Sequence, residues 1–373
     1  MEYLLEEHRG YLEDTVKLQQ YADAIAASVK PGDVVLDLGC GTGVLGLMAL
    51  RAGASRVYAI DEKPVLEIAR RTFAQAGFAE RARCLRGSSF ELDLPERVDV
   101  IVCDHVGYFG IDYGILAMLA DARTRFLKPG GMVLPAELRL WLAMTSMEGA
   151  TTAVGNWHHA VPPDYQWVSE LATNTKLSTH LDANVLNGAP ALLQTLNLTA
   201  PTEEFYSWSV TLQASRAGKL DALAGWFECR LAGDIWMTNS PLAADKLRRP
   251  QMLLAFESPL ALQANDPIAA TVMMRPAEHL LAWKVTTSQG KQFAQSTWKN
   301  PLLEVPLSQH EAGRVPVLNE RGKARRLVLS YCDGQRTAAA IMQLMKQDHA
   351  DLFRSDDALE HFVQHVLSRD AGA

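Results

Sequence analysis

A turn with three glycines, set between an apolar run and a helical pattern, most strongly constrains how this chain can fold. Residues 35–43 read VLDLGCGTG, and the apolar run from Asp33 to Leu38 predicts a buried strand. The residues from Val44 to Gly53 have helical spacing and end in a glycine, which predicts a short helix. Such a turn lets a ligand approach the backbone and the free N–H groups at the start of the helix.

Further apolar runs extend this unit into an alternating pattern of strands and helices. Residues 56–60 and 98–103 predict two more strands, and residues 132–134 predict another after the turn at 128–131. Strands that alternate with helices form a parallel sheet with right-handed crossovers. We therefore predict a Rossmann-like α/β domain over residues 1–135.

The composition fits a globular protein and excludes several classes. Of 373 residues, 48% are hydrophobic and 21% charged, and the net charge of −7 argues against a general nucleic-acid binder. The mean hydropathy of −0.05, without an apolar run near 18 residues, predicts no membrane span. The first residues have no basic start followed by an apolar core, so we expect a cytoplasmic protein. The five cysteines form no CxxC pair, which predicts buried free thiols rather than a metal site.

Two carboxylates beside the glycine turn indicate the class of ligand. Asp37 stands just before Gly39, where an acid can face the ammonium group of a ligand. Asp61 follows the second strand, where a carboxylate can accept hydrogen bonds from both hydroxyls of a ribose. The spacing of Gly39, Gly41 and Gly43 is GxGxG rather than the GxGxxG of dinucleotide sites. Together these residues predict S-adenosylmethionine as the cofactor and S-adenosylhomocysteine as its product.

These segments resemble the class I methyltransferases, and among them the protein arginine methyltransferases. Residues 35–61, 94–116 and 122–135 are similar to that family's cofactor motif, substrate loop and last parallel strand, and residues 8–25 to its helix that folds over the cofactor. The resemblance implies a Rossmann-like domain followed by a β-barrel, a dimerisation arm and a homodimer. It also implies that Lys17 grips the methionine carboxylate, while two serines after the adenine-side strand contact the adenine. The predicted cofactor-binding residues are Lys17, Asp37, Gly39, Gly41, Gly43, Asp61, Ser88 and Ser89.

The substrate loop departs from the family's pattern. The family holds a guanidinium between two glutamates, which suits a planar fork of hydrogen-bond donors. Here the first glutamate position holds Asp104 and the second holds Tyr113, with Asp112 beside it. The tryptophan after the first glutamate is His105, and the family's Thr-His-Trp loop aligns with Leu-Arg-Arg at 247–249.

Three interpretations of this loop stay open. Asp104 and Asp112 could form a shortened acidic clamp for a guanidine or amine. Alternatively, His105 could be a general base for a hydroxyl, imidazole or amine, with Arg248 and Arg249 binding a carboxylate or phosphate. In the third, the protein is a pseudoenzyme or peptide-binding scaffold that binds the cofactor without catalysis. We expect N-methylation of a guanidino or amino group on a peptide, a protein or a small molecule such as arginine. The predicted catalytic residues are Asp104, His105 and Asp112, and the predicted substrate-binding residues are Tyr108, Tyr113, Arg248 and Arg249.

The rest of the chain divides into two parts. Alternating apolar patterns predict a β-barrel domain over residues 136–310, in which residues 150–195 fit poorly and are the candidate arm. Residues 311–373 return to helical spacing, and the DG-x-RT turn at 333–337 weakly resembles the PqqD-like peptide-binding domains. The expected partners are a small-molecule or peptide substrate and a second copy of the chain, with no nucleic acid or membrane.

Overall fold

The structure is a computed structural model whose chain divides into two compact units, residues 1–300 and residues 301–373. Each unit is described by itself. The structure describes residues 2–146, 157, 160–299, 313, 315–353 and 355–371.

A five-stranded parallel sheet forms the first part of the larger unit, in the order β3-β2-β1-β4-β5. All five residues of β1 are buried, because helices cover both faces of a parallel sheet. The carboxyl ends of β1, β2 and β4 therefore meet at one edge, where the site lies. The strands are β1 (Val34–Leu38), β2 (Arg56–Asp61), β3 (Ala82–Arg86), β4 (Val98–Cys103) and β5 (Leu127–Leu134).

The helices of this unit begin and end where the sequence supplies caps. The Asp14 carboxylate accepts a hydrogen bond from the Lys17 backbone N–H and so caps α2. Glycines in the left-handed conformation, Gly43 and Gly53, bound α3. The helices are α1 (Glu2–Glu13), α2 (Thr15–Ser28), α3 (Val44–Ala52), α4 (Leu66–Gln75), α5 (Ile115–Phe126) and α6 (Val168–Thr173).

Two antiparallel sheets follow. One has the order β7-β12-β10-β6-β8, with β11 paired to β10, and the other has the order β15-β14-β13-β9. Leu140, Val272 and Trp283, from β6, β13 and β14, are fully buried in one core that continues into the parallel sheet. The strands are β6 (Glu137–Thr145), β7 (Leu177–Thr179), β8 (Ala191–Asn197), β9 (Tyr206–Gln213), β10 (Gly218–Ala232), β11 (Ile235–Thr238), β12 (Gln251–Leu262), β13 (Pro267–Arg275), β14 (Leu280–Thr287) and β15 (Gln292–Ser296).

The stretch predicted as an arm, residues 150–195, partly belongs to the antiparallel sheet that contains β10 and β12. The strand β7 pairs with β12, and most of β8, which pairs with β6, also falls within this stretch. The weak helical pattern from 166 to 175 corresponds to α6. The remaining arm residues 150–156, 158 and 159 lie outside the described residues.

The described residues of the second unit include three packed helices, α7 (Glu320–Ser330), α8 (Ala338–Asp348) and α9 (Asp356–Asp370). In the DG-x-RT turn, the Asp333 carboxylate accepts hydrogen bonds from the backbone N–H groups of Gln335 and Arg336, both at 3.0 Å. Cys332, predicted to be a buried thiol, is exposed because it follows the end of α7 at this turn.

The predicted α/β fold, with a Rossmann-like sheet, a barrel-like β domain and a helical end, is confirmed. Among the described residues, no helix is both long and apolar enough to cross a membrane.

Candidate active site

The turn after β1 needs glycine at two positions, Gly39 and Gly41, where a histidine side chain lies close to the backbone. Gly39, Gly41 and Gly43 have φ angles of 68°, 53° and 78°, which lie in the left-handed region. A Cβ on Gly39 would overlap Nε2 of His105, and a Cβ on Gly41 would lie 2.9 Å from Cε1 of His8. The two imidazoles therefore lie directly on the turn, from β4 on one side and α1 on the other.

Asp37 and Asp61 are both held by backbone amides and both line a cavity beside the turn. Oδ2 of Asp37 accepts a hydrogen bond from the Gly46 N–H at 2.8 Å, and burial raises the pKa of this carboxyl to about 7. The two oxygens of Asp61 accept from the N–H groups of Gly41 and Lys63, each at 2.8 Å. Each carboxylate oxygen has a second lone pair, so both side chains can still accept from a ligand.

The helices α1 and α2 lie over the cavity and bring a cation into it. The Tyr21 hydroxyl donates to the carbonyl of Cys103 at 2.9 Å, which fixes α2 at the end of β4. Lys17, only 3% exposed, places its Nζ 2.7 Å from Oδ2 of Asp104. The same Nζ lies 4.8 Å from the centre of the Tyr11 ring, a cation–π distance.

Asp104 lies between two cations. Lys17 pairs with its Oδ2, and Nη2 of Arg249 lies 3.6 Å from its Oδ1. Burial alone would raise the pKa of Asp104, but the charges of Lys17 and Arg249 outweigh that effect and hold it below its ordinary value. Oδ1 is buried and has no hydrogen-bond partner in the described part of the chain. An ionised carboxylate oxygen is therefore available to a donor in the cavity.

The second predicted carboxylate, Asp112, has a different environment. Its oxygens accept from the backbone N–H groups of Tyr108 at 3.2 Å and Phe109 at 2.8 Å. A Cβ on Gly107 would overlap the same carboxylate. Asp112 thus closes its own loop, and of the two aspartates only Asp104 is among the residues that line the cavity.

Tyr113, His105 and His279 also line the cavity, and Tyr108 contacts the ring of Tyr113. Tyr113 is 37% exposed and its ring meets that of Tyr108 edge-on at 5.4 Å. Burial lowers the pKa of His105, so its imidazole is neutral at pH 7. His279, at the end of a 3₁₀ turn before β14, packs on Gly114, where a Cβ would overlap its ring.

The two adjacent arginines before β12 differ in burial, and only one of them lines the cavity. Arg249 is 7% exposed, lines the cavity and donates to the carbonyl of Val106. The side chain of Arg248 is exposed, and its backbone N–H donates to Oδ2 of Asp14 at 3.0 Å. This hydrogen bond ties the cap of α2 to the β domain.

Of the two predicted serines, Ser88 and Ser89, only Ser89 lines the cavity. Ser89 is 8% exposed and lines the cavity. The carbonyl of Ser88 accepts from the backbone N–H groups of Glu91 and Leu92, both at 3.0 Å, and the residue belongs to a turn.

The cavity has a volume of about 650 Å³, which suits a cofactor-sized ligand. Sequence reasoning did not single out His8 or His279 at its wall. His8 could have been found one helical turn before Tyr11, whereas His279 is distant in the chain and carries no local signal. The predicted site residues that line the cavity are Lys17, Asp37, Gly39, Gly41, Asp61, Ser89, Asp104, His105, Tyr113 and Arg249. Those outside the lining are Gly43, Ser88, Tyr108, Asp112 and Arg248.

Comparison with known proteins gives the same classification. Residues 35–131 match the model of a methyltransferase domain. Protein arginine N-methyltransferase 1 of Dictyostelium discoideum is 27% identical over 278 residues, which are 72% of this chain and 81% of the relative. Protein arginine N-methyltransferase PRMT10 of Oryza sativa subsp. japonica is 28% identical over 331 residues, which are 77% and 87% of the two chains.

Solved structures share the fold. A chain of the Trypanosoma brucei PRMT1 enzyme-prozyme heterotetrameric complex with AdoHcy superposes with a TM-score of 0.68 at 21% identity, covering 78% of this chain and 96% of that one. Arabidopsis thaliana protein arginine methyltransferase 10 gives a TM-score of 0.67 at 22% identity, covering 79% and 98%. The predicted resemblance is confirmed: residues 35–131 match a methyltransferase domain, and the chain is similar to protein arginine N-methyltransferases over about three quarters of its length.

Proposed function

We propose that this enzyme transfers a methyl group to a guanidino nitrogen of arginine in a protein or peptide. One observation carries the proposal most directly. The buried, unpartnered Oδ1 of Asp104 lies in the same cavity as the glycine turn and its two carboxylates. An acceptor nitrogen that donates to Oδ1 is thereby held beside the cofactor site.

The residues of the cavity fit S-adenosylmethionine. In this proposal Asp37 would face the ammonium group, Asp61 the ribose hydroxyls and Lys17 the methionine carboxylate, and all three line the cavity beside the glycine turn. Ser89 lies on the same wall, next to the end of β3. When bound, the cofactor supplies a methyl group on a positively charged sulfur; an N–C bond forms as the S–C bond breaks, and S-adenosylhomocysteine remains.

Asp104 orients the acceptor nitrogen through Oδ1, so that one lone pair of the nitrogen stays free for the methyl group. After transfer the nitrogen holds a surplus proton that is strongly acidic, and therefore even a weakly basic carboxylate can accept it. The lowered pKa of Asp104, which Lys17 and Arg249 maintain against burial, keeps the carboxylate ionised before each turnover. His105, neutral at pH 7, lies at the same edge and can relay that proton to water.

The cover formed by α1 and α2 keeps water away from this step. Tyr11 and Lys17 come from these helices, and the Arg248 N–H to Asp14 hydrogen bond anchors them to the β domain. Excluding water strengthens every charge interaction inside the cavity.

A protein acceptor and a homodimer are part of the proposal. The relatives are named as protein arginine N-methyltransferases, which supports a protein or peptide substrate. Tyr165 and Trp167, beside α6 in the candidate arm, are 57% and 50% exposed, which supports a contact with a second copy. Light scattering distinguishes the two states: twice the chain mass of 41.0 kDa supports the dimer, and a particle of the single mass contradicts it.

The activity is tested by incubating the protein with S-adenosylmethionine and an arginine-containing peptide, followed by fragmentation mass spectrometry. We expect one added methyl group on the guanidino group, and formation of this product at least about 10-fold more slowly with the Asp104→Asn variant. A protein that binds S-adenosylhomocysteine but methylates no arginine, free or in peptides, would instead be a cofactor-binding pseudoenzyme.

A further inference from the structure

We propose that Arg249 makes this site selective for acceptors that carry a carboxylate near the reacting nitrogen. The inference rests on the proposed function and specifies its substrate class. It starts from the charges around the acceptor position, where Lys17 and Arg249 flank the single carboxylate of Asp104. The cluster therefore has one positive charge in excess, and a plain guanidinium would add another cation beside it.

Arg249 is fixed in place. Its guanidinium donates to the carbonyl of Val106, and its side chain is only 8% exposed. The next but one residue, Gln251, is also buried and its Nε2 donates to the carbonyl of Asn239, which anchors the start of β12. Moving Arg249 out of the cavity would break the Val106 hydrogen bond and separate it from Asp104.

The guanidinium still has hydrogen-bonding capacity. It has five N–H donors, and within the described residues its hydrogen bonding is limited to the Val106 carbonyl, beside the ion pair with Asp104. Lys17 is assigned differently, because its Nζ pairs with Oδ2 of Asp104 at 2.7 Å and the proposed function gives it the cofactor carboxylate. Arg249 is thus the cation of the cluster that remains for an anionic group on the acceptor.

The distance between the two groups limits the acceptor's shape. Nη2 of Arg249 lies 3.6 Å from Oδ1 of Asp104, the oxygen without a hydrogen-bond partner. With two hydrogen bonds of about 2.9 Å, the reacting nitrogen and the carboxylate oxygen are at most about 9 Å apart. This span admits a free guanidino amino acid, and it also admits a peptide arginine with an acidic neighbour. In both, the reacting nitrogen donates to Asp104 and the carboxylate accepts from Arg249.

Two matched pairs of acceptors separate these sources of the carboxylate. The first pair is L-arginine and agmatine, which differ only by the carboxylate. The second pair is a capped peptide with arginine between two aspartates and its counterpart with two asparagines. For the chain of 373 residues we expect kcat/KM to favour the carboxylate form by about 10-fold or more in at least one pair, the scale of a charge-assisted hydrogen bond. The pair that shows the preference identifies the source.

Variants assign the preference to Arg249. Arg249→Gln is expected to reduce it to less than about 3-fold, and Arg249→Lys to retain part of it, because the charge remains. Arg71→Gln, which removes an exposed arginine on α4, is the matched control and keeps the full preference. Tyr113→Glu leaves Arg249 intact and is expected to shift the preference towards agmatine, so the test does not depend on one variant folding.

The readouts keep the two proposals apart. If turnover is too slow to measure, calorimetric titration of the same acceptors into the S-adenosylhomocysteine complex gives the same comparison. Acceptors that bind or react equally with and without the carboxylate would overturn the inference and leave the proposed function standing. Weaker S-adenosylhomocysteine binding by Arg249→Gln would also overturn it, since Arg249 would then serve the cofactor. Absence of S-adenosylhomocysteine binding by the unaltered protein would contradict the proposed function itself.

Discussion

Replacing Asp104 with asparagine removes one negative charge and almost no volume from the centre of the site. The change leaves Lys17 and Arg249, with side chains 4% and 8% exposed, without their shared counter-ion. Removing one partner of a buried ion pair costs about 3–5 kcal/mol. Because the Asp104 side chain is 20% exposed and its contact with Arg249 is 3.6 Å long, we expect about 2–3 kcal/mol of lost stability.

The effect on catalysis is separate from the effect on stability and is of similar size in free energy. The hydrogen bond from the acceptor nitrogen to an ionised Oδ1 contributes about 1.5–3 kcal/mol, so kcat/KM falls by roughly 10- to 150-fold. Cofactor affinity does not fall with the rate, because Lys17 loses Asp104, which competes with the cofactor carboxylate for its ammonium group. S-adenosylhomocysteine is therefore expected to bind as tightly as before, or more tightly.

Three measurements on Asp104→Asn check this: denaturant unfolding, calorimetric titration with S-adenosylhomocysteine, and steady-state methyl transfer. Full kcat/KM in the folded variant would refute the role of Asp104 in holding the acceptor. A loss of cofactor binding in proportion to activity would show that Asp104 supports the cofactor instead.

Three further perturbations have distinct outcomes. Below its raised pKa of about 7, Asp37 becomes neutral and stops attracting an ammonium group. S-adenosylhomocysteine should therefore bind up to about 10-fold more weakly for each pH unit below 7, as measured by calorimetry. The affinity of the Asp37→Asn variant should not show this pH dependence. Asp112→Asn weakens two loop hydrogen bonds and should lower the free energy of unfolding by about 1–2 kcal/mol while methyl transfer persists; a loss of turnover without a loss of stability would restore Asp112 to a catalytic role. In Gly39→Ala the new Cβ would overlap His105, and S-adenosylhomocysteine binding should weaken more than about 10-fold. Gly130 also has a positive φ but has open space around it, so Gly130→Ala should cost only about 1 kcal/mol of stability in a thermal melt.

The cofactor side of the cavity could be predicted from the sequence because its residues are close together in the chain or stand at the ends of adjacent strands. Gly39, Gly41 and Asp37 belong to one turn, and Asp61 ends the adjacent parallel strand. Parallel strands put their carboxyl ends at one edge, so a local pattern already placed these groups together.

The acceptor side was harder because it depends on long-range placement. Arg248 and Arg249 looked equivalent in the sequence, yet Arg248 is exposed at a bend and, of the two, only Arg249 lines the cavity. Which of the two faces inward depends on how β12 packs, and the composition of the turn carries no information on that. The same holds for His279, which lies between β13 and β14 and is distant in the chain from the rest of the site.

Asp112 is a different case, since the information was local. An aspartate three or four residues after the N–H groups of a tight loop commonly accepts from that backbone. The family alignment drew attention to its charge next to the second glutamate position, whereas the loop uses the charge for its own closure. Tyr113, at the aligned position, is the residue that reaches the cavity.

Calorimetric titration of S-adenosylhomocysteine into the unaltered protein tests the central claim most directly. The claim is that the cavity bounded by the glycine turn, Asp37, Asp61 and Lys17 holds the methyl donor. We predict binding of one ligand per chain at micromolar concentrations, greatly weakened in Gly39→Ala and retained in Gly130→Ala. No binding at millimolar ligand, or equal binding by the two variants, would contradict the account.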